Sequence, residues 1–281
     1  MVAPFPFEIA FSHFVQSFSA GYLDLFFIAA TMLGHPGFWF LLAAALYWKG
    51  DERESFFLSA TLLFTGALSG GIKEITQRPR PSPEFFRVVM PEAGFSLPSG
   101  HAATIGGIYG KIFRGIFENL RLAGIVIVLL VMLSRIYLGV HYLFDVIIGT
   151  LLGFGIGLAV DEASRKFSGL KLPAGQLLEE AGIIVAICAS VVIAVLFSAL
   201  SMASGLMGYF AGVFALKLIG KDPQPAALGK ALLAREITGF AVLGGLALSG
   251  EVYSFQAPLY FIAGLWVSFI YPLIYSRKRG P

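Results

Sequence analysis

The sequence predicts an all-α fold, a polytopic bundle of membrane-spanning helices. Hydrophobic residues make up 57% of the 281 positions and charged residues only 13%, whereas about 25% of the residues of a soluble domain are charged. The mean hydropathy is +0.80, and a helix needs roughly 17 to 25 apolar residues to cross a bilayer. No apolar run alternates like a barrel strand, so helices are the expected spanning elements.

Ten apolar segments, separated by short polar breaks, are the predicted helices of this bundle. The second and the ninth segments are short for a complete span. In chain order, we place the ten near residues 15–33, 37–48, 55–73, 99–113, 121–138, 142–160, 181–199, 201–218, 236–250 and 255–276.

A polar stretch divides the predicted bundle into two blocks. The segment DEASRKFSGLKLPAGQLLEE, residues 161–180, is the most polar part of the chain interior. We therefore predict a six-helix core over 1–161, a cytoplasmic linker over 162–180 and a four-helix extension over 181–281. The extension contains no histidine, and we expect it to serve in packing, in a homo-oligomer contact or as the wall of a lipid cavity.

The basic residues predict the orientation of the chain. Assigning alternate loops to one side collects 15 of the 20 Lys and Arg residues there, so by the positive-inside rule that side and both termini are cytoplasmic. Because the other five accompany the unusual histidines, we expect an anion to bind at the outer side and do not expect nucleic acid as a partner. The five are Lys73, Arg78, Arg80, Arg87 and Arg135.

The stretch SRIYLGVHYLFD places three ionisable residues in a very apolar region. His141 and Asp145 are four residues apart, so they share one face of the sixth helix, where a carboxylate can fix the imidazole tautomer. Arg135 ends the fifth helix and requires an anion, because a guanidinium stays protonated. The alternative is a histidine at a helix start with a snorkelling aspartate.

The stretch FSLPSGHAATIGG contains a second candidate anion site. Ser99 precedes a long apolar run and is the predicted N-cap, and the free N–H groups of a helix start attract anions. Gly100 allows a phosphate to approach closely, and His101 would stand in the first helical turn. The alternative is an ordinary capped helix with a surface histidine.

The stretch KEITQRPRP adds two cations. Lys73 lies at the end of the third helix, and Arg80 follows after six residues, with Pro81 holding the backbone extended. The pair forms either a solvated basic loop or, beside the other two motifs, a phosphate clamp. We assign no catalytic part to Arg78.

The order and spacing of these residues resemble the three-part signature of the type 2 phosphatidate phosphatase superfamily. All three parts are complete and cover about residues 73–145. The six-helix block resembles the membrane core of that family, and the four helices after it exceed the core of many bacterial members. The first part is Lys73, followed after six residues by Arg80-Pro81. The second part is Pro98-Ser99-Gly100-His101. The third part is Ser134-Arg135, followed after five residues by His141 and after three more by Asp145.

The resemblance implies a role for each matching residue. His141 would be the nucleophile that attacks phosphorus and forms a phosphohistidine, and Asp145 would orient it. His101 would protonate the leaving oxygen and later help to activate the water that releases phosphate. The phosphoryl oxygens would be bound by Lys73, Arg80, Ser99, Gly100 and Arg135.

No metal ion and no cofactor are expected at this site. Phosphoryl transfer needs charge neutralisation and in-line positioning, and three cations here can supply the charge that magnesium supplies elsewhere. The single cysteine, Cys188, lies in an apolar run, so one chain cannot form a thiolate metal site from a pair of cysteines.

The leading functional hypothesis is a metal-independent membrane phosphatase whose active site faces the extracytoplasmic side of the cell membrane. Its partners would be a lipid phosphate substrate and membrane lipids, with a polyprenyl pyrophosphate as the first choice of substrate. Alternatives within the resemblance are a lipid phosphotransferase and an enzyme like glucose-6-phosphatase or sphingosine-1-phosphate phosphatase. The alternative of another class is a transporter or lipid-binding membrane protein with a basic pocket.

Overall fold

A computed structural model of the chain describes residues 2–114, 118–169, 200–219, 237–243, 245 and 256–275. Within these ranges every regular element is helical, as predicted. The α-helices are α1 (Pro6–Ser17), α2 (Gly21–Met32), α3 (Pro36–Trp48), α4 (Glu52–Thr76), α5 (Gly100–Arg114), α6 (Glu118–Tyr137), α7 (Leu143–Gly169), α8 (Leu200–Leu218), α9 (Gln256–Leu265) and α10 (Tyr271–Tyr275), and a π-helix, Trp266–Ile270, joins the last two.

The chain divides into two compact units. The first comprises Met1–Phe38 and Phe64–Glu162, and the second comprises Trp39–Leu63 and Ala163–Pro281. Every residue of the predicted site belongs to the first unit. The predicted boundaries at the linker stay predictions. Helix α7 includes the first residues of the linker, and the rest of the linker, the segment 181–199 and part of 236–250 lie outside the described residues.

Several described helices are long and apolar enough to cross a membrane. Three pass by length and composition, namely α4, residues Leu143–Arg165 of α7 and the stretch Ala257–Ile274. The helices α1 and α2 are long and apolar enough to cross a membrane only when the two are counted as one bent span. Helix α3 and residues Ser204–Leu218 are apolar but shorter. The described part of the chain therefore contains three such spans, or four if the bent pair counts as one.

The prediction of one helix over 15–33 is wrong. The structure has two helices there, α1 and α2, and the chain bends by 119° at the break between them. The hydroxyl of Tyr137 stabilises the break, since it accepts a hydrogen bond from the N–H of Ala20 at 3.2 Å and donates one to Asp24 at 2.8 Å. Hydropathy does not register this bend, because both arms are apolar and the stabilising residue is distant in sequence.

Glycines allow α5 and α7 to approach each other closely. Gly153 and Gly157 lie one turn apart on α7, and a Cβ at Gly153 would overlap the carbonyl of Ala103 in α5. Small residues at such spacing are typical of tightly packed membrane helices. The close approach also brings the two helix starts together, where the N–H of Ser99 donates to the carbonyl of Asp145 at 2.9 Å.

A hydrophobic cluster surrounds the connection between α6 and α7. Phe27 stacks on Tyr137 with ring centroids 4.3 Å apart, and the connection itself is buried. The site described below is thus held by packed side chains. The buried members of the cluster are Val15, Phe27, Ala102, Ile136, Tyr137, Leu138, Val140 and Val146.

The second unit has its own polar contacts between helices. The indole N–H of Trp48 donates to the carbonyl of Val267 at 2.7 Å. The hydroxyls of Ser55 and Tyr209 lie 2.6 Å apart in a buried position. These contacts link α3 and α4 to the helices of the C-terminal half within this unit.

Candidate active site

The end of α6 turns the chain so that His141 returns towards Arg135. Gly139 adopts φ of +73°, a conformation that favours glycine at the end of a helix. Its N–H donates to the carbonyl of Ile136 at 3.1 Å, and the N–H of Val140 donates to that of Arg135 at 3.2 Å. This is a Schellman motif, and it places the imidazole and the guanidinium side by side.

The contacts of His141 assign different roles to its two ring nitrogens. Nε2 lies 3.1 Å from Nη1 of Arg80, and because a guanidinium only donates, Nε2 accepts and carries no proton. Nδ1 lies 3.4 Å from a carboxylate oxygen of Asp145, longer than a normal hydrogen bond, as is common for catalytic contacts without substrate. His141 therefore presents the lone pair of Nε2 towards the cations.

Burial and charge keep the imidazole neutral. His141 is only 1% exposed. Its burial, together with the positive charges of Arg135 and Arg80, lowers the pKa of His141 well below its usual range. A neutral imidazole is the form that can act as a nucleophile.

Two arginines form an anion site beside Nε2 of His141. Arg135 is fully buried and donates to the hydroxyl of Thr31 at 2.8 Å. Arg80 donates to the carbonyl of Val140 at 2.9 Å. Both also contact Glu92, Arg135 by a hydrogen bond and Arg80 at 3.1 Å, so a carboxylate now occupies the position between the two guanidinium groups.

Glu92 is a member of the site that the sequence analysis missed. Burial raises the pKa of Glu92, but the charges of Arg135 and Arg80 and the hydrogen bond from Arg135 outweigh burial and bring this pKa below its ordinary value. Its carboxylate lies 3.9 Å from Nε2 of His141. The available signal was one of two acidic residues, Glu84 and Glu92, in the loop that precedes the PSGH motif, but the partners of Glu92 lie far away in sequence.

The start of α5 supplies the second predicted motif. Ser99 directly precedes the helix, and the N–H of Ala102 donates to its hydroxyl at 3.4 Å, the geometry of the predicted N-cap. A Cβ at Gly100 would meet no atom within 4 Å, so the space beside this helix start is open. His101 lies in the first turn and interacts electrostatically with Arg135, His141 and Lys73.

Lys73 stands in the last turn of α4, as predicted, and is half-buried. It interacts electrostatically with Arg80 and Glu92, so it adds a third positive charge to the anion site. The structure thus brings all eight sequence-predicted site residues into one region of the first unit.

His35 is a third histidine of the site and was missed by the sequence analysis. It lies between α2 and α3, and its ring centroid is 5.5 Å from that of His101. Its Nδ1 accepts the N–H of Gly37 at 3.1 Å, so Nε2 carries the proton when the ring is neutral. Burial and the charge of Arg135 lower the pKa of His35, which favours that neutral form.

Arg78 and Glu8 lie on the far side of Asp145 from His141. Nη1 of Arg78 contacts Asp145 at 2.7 Å, and Nη2 contacts Glu8. We assigned no role to Arg78 from sequence, and Glu8 was overlooked as one acidic residue in the apolar stretch PFPFEIAF. Neither pairing is visible from local spacing, because the three residues belong to three separate segments.

The assembled groups favour chemistry on a phosphoryl group. A neutral imidazole faces a set of cations, and a second imidazole, His101, lies at a neighbouring helix start. Within the described ranges no group of three or more His, Cys, Asp or Glu residues could hold a metal ion. The expectation of a metal-free site stays a prediction.

Comparison with known proteins finds similarity over the region that contains the predicted site residues. The model of the PAP2 superfamily matches residues 54–167, a region that includes all the predicted site residues. Lipid phosphate phosphatase delta of Arabidopsis thaliana is 24% identical over 174 residues, which are 54% of this chain and 42% of that protein. Phosphatidylglycerophosphatase B of Bacillus subtilis (strain 168) is 34% identical over 110 residues, 34% of this chain and 52% of that protein.

A solved structure is similar over the same part of the chain. It is the crystal structure of a transmembrane PAP2 type phosphatidylglycerolphosphate phosphatase from Bacillus subtilis, with 25% sequence identity and a TM-score of 0.50. The likeness covers 57% of this chain and 85% of that chain, whereas the chain spans about half the length of the curated relatives that it matches. The predicted fold class, an all-α polytopic membrane helix bundle, is confirmed. Residues 54–167 match the model of the PAP2 superfamily, and over this part the chain is similar to a transmembrane PAP2 type phosphatase.

Proposed function

We propose that this protein is an integral-membrane lipid phosphatase that works without a metal ion through a phosphohistidine. The observation that carries the proposal is the neutral His141, whose Nε2 faces an anion site formed by Arg80 and Arg135. A phosphate in the place of the Glu92 carboxylate would lie directly in front of this nitrogen. The relatives are named as phosphatases of lipid phosphates, and these names support the choice of substrate class.

In the first step, the lone pair of His141 Nε2 attacks phosphorus. The bond between phosphorus and the lipid oxygen breaks, and this oxygen takes a proton from the imidazolium form of His101, which becomes a neutral imidazole. The proton on Nδ1 of His141 remains there, and Asp145 stabilises the resulting positive charge. Arg80 and Arg135 neutralise the phosphoryl oxygens, which provides the electrostatic stabilisation that such a transition state needs.

In the second step, water attacks the phosphohistidine. His101, which lost its proton in the first step, accepts a proton from this water. The bond between Nε2 and phosphorus breaks, inorganic phosphate leaves, and His141 returns to its neutral form. Both steps use the same cations and the same two imidazoles, so neither step requires a further reactant.

A polyprenyl pyrophosphate is our first choice of substrate, followed by phosphatidate, phosphatidylglycerophosphate and a sphingoid phosphate. The basic residues support a site at the extracytoplasmic face with both termini in the cytoplasm. A headgroup would then lie at the membrane boundary, beside Lys73, His101 and Asp145. These residues lie at the ends of α4, α5 and α7, respectively.

The test is phosphate release by the purified full chain in detergent, with EDTA present and with several lipid phosphates and glucose-6-phosphate as substrates. We expect His141→Ala to abolish release. The matched control is His13→Ala, because His13 stacks on Phe86 with ring centroids 4.7 Å apart and takes no part in the proposed chemistry. Substantial activity of folded His141→Ala protein would remove His141 from the nucleophile's role.

A further inference from the structure

Three buried charged residues form a chain that ends at the catalytic histidine. Glu8 of α1 pairs with Arg78, and Arg78 pairs with Asp145 at 2.7 Å. Asp145 in turn lies 3.4 Å from Nδ1 of His141. Glu8 and Asp145 are fully buried and Arg78 is 1% exposed, so water screens these contacts very little.

Glu8 is held in place by more than Arg78. Its carboxylate accepts the N–H of Phe144 at 2.9 Å and the N–H of Phe5 at 2.9 Å. Phe144 lies in the first turn of α7, next to Asp145. Glu8 therefore fastens α1 to the start of the helix that carries the predicted orienting carboxylate.

The charges of this chain do not cancel. Arg78 by itself would neutralise Asp145 and leave no net charge to face His141. With Glu8 added, the two carboxylates and one guanidinium carry a single net negative charge. The cations on the other side of His141 have an anion of their own, the carboxylate of Glu92 or an incoming phosphate.

We propose that Glu8 is a positioning residue, which acts through Arg78 to preserve the negative charge of Asp145 for His141. The inference rests on the proposed function, since it concerns the positive charge that His141 develops when Nε2 bonds to phosphorus. In the transition state, this charge is stabilised by the net charge of the buried chain. Arg78 fixes the geometry of the carboxylate, and Glu8 offsets the charge of Arg78.

Two single substitutions separate charge from shape. Glu8→Gln keeps the length of the side chain and removes its charge, whereas Glu8→Asp keeps the charge and shortens the side chain. We expect Glu8→Gln to lower kcat by about 10- to 100-fold, the effect of losing one charge-assisted interaction from the transition state. KM should stay within about threefold, because Glu8 acts on the nucleophile and not on substrate binding. Glu8→Asp should retain more kcat than Glu8→Gln.

A double variant provides the sharper result. Glu8→Gln combined with Arg78→Gln removes both charges, so Asp145 again carries a single net negative charge. Glu8→Gln lowers log kcat relative to the wild type, and we expect the double variant to regain at least half of this decrease. It also leaves no buried arginine short of a partner. If Glu8→Gln does not fold, the double variant is compared with the wild type, and a kcat more than about tenfold below the wild-type value overturns the inference.

The control is Asp24→Asn, which breaks the ion pair of Asp24 with Arg87 in the same unit but outside the chain to His141. We expect it to keep wild-type kcat. The inference is overturned if Glu8→Gln has wild-type kcat, if Glu8→Gln is at least as active as Glu8→Asp, or if the double variant recovers nothing. Failure of the proposed function would look different, since His141→Ala would then remain active.

Discussion

Replacing Glu92 with glutamine should make the protein bind phosphate-like anions more tightly. The carboxylate of Glu92 contacts Arg80 at 3.1 Å and is hydrogen-bonded to Arg135. A phosphoryl group that uses these two guanidinium groups must displace it. Glutamine has nearly the same shape as glutamate, but its side chain is neutral. It therefore binds the two arginines more weakly and competes less with a phosphoryl group.

The magnitude follows from the two contacts. A hydrogen bond to a charged group contributes about 1.5–3 kcal/mol, and we place the carboxylate–guanidinium bond near the upper end of this range and the amide–guanidinium bond near its lower end. Two contacts therefore differ by about 2 kcal/mol in total, and the 29% exposure of Glu92 reduces this to about 1–2 kcal/mol through solvent screening. Since about 1.4 kcal/mol is a factor of ten, we expect a gain in affinity of about 5- to 30-fold.

The assay is inhibition of phosphate release by orthovanadate, an anion that resembles phosphate. Glu92→Gln should lower the inhibition constant by the factor above, and Glu84→Gln, a change at an exposed acidic residue of the same loop, should leave it unchanged. An inhibition constant for Glu92→Gln that equals or exceeds the wild-type value would refute the idea that Glu92 occupies the phosphate position.

Three further predictions concern the same site and its support. The pKa of Glu92 is lowered, so its carboxylate stays charged above about pH 5. We therefore expect the ratio of the wild-type to the Glu92→Gln inhibition constant to be constant from about pH 5 to 8. A ratio that changes with pH in this range would contradict the assignment. Gly153→Ala should destabilise the protein by about 1–3 kcal/mol, because the new Cβ would overlap Ala103. Gly155→Ala should leave stability unchanged, because the space around its Cβ is open. Thermal unfolding in detergent measures both effects. Excess EDTA should leave phosphate release unchanged, and strict dependence on added magnesium would rule out the metal-free mechanism.

Local sequence was sufficient for the parts of the site that lie on one helix or at one helix end. His141 and Asp145 come within 3.4 Å of each other, as their spacing of four residues predicted, but the predicted shared helix face is wrong, because α7 begins at Leu143 and His141 lies in the connection before it. Ser99 caps α5 because a serine before an apolar run supplies the missing acceptor. These relations span a few residues each, so spacing and residue type were enough to predict them.

Charge pairing could not be predicted in the same way. Glu92 contacts Arg135 across 43 positions, and Arg78 contacts Asp145 across 67 and Glu8 across 70. Many acidic residues of the chain could have paired with these arginines, and hydropathy and spacing do not choose among them. Only the folded arrangement of α1, α6 and α7 does.

The sequence by itself therefore determined the membrane-helical fold class, the family signature over residues 73–145 and the cluster of cations with two histidines. Composition and short-range spacing contain this information, because burying a helix in a bilayer and capping it are local requirements. The tertiary structure decided that α1 and α2 form a bent pair, that a carboxylate lies between Arg80 and Arg135, and that Glu8 and Arg78 stand behind Asp145. These features depend on balancing buried charges between distant segments, and such balance exists only once the helices are packed.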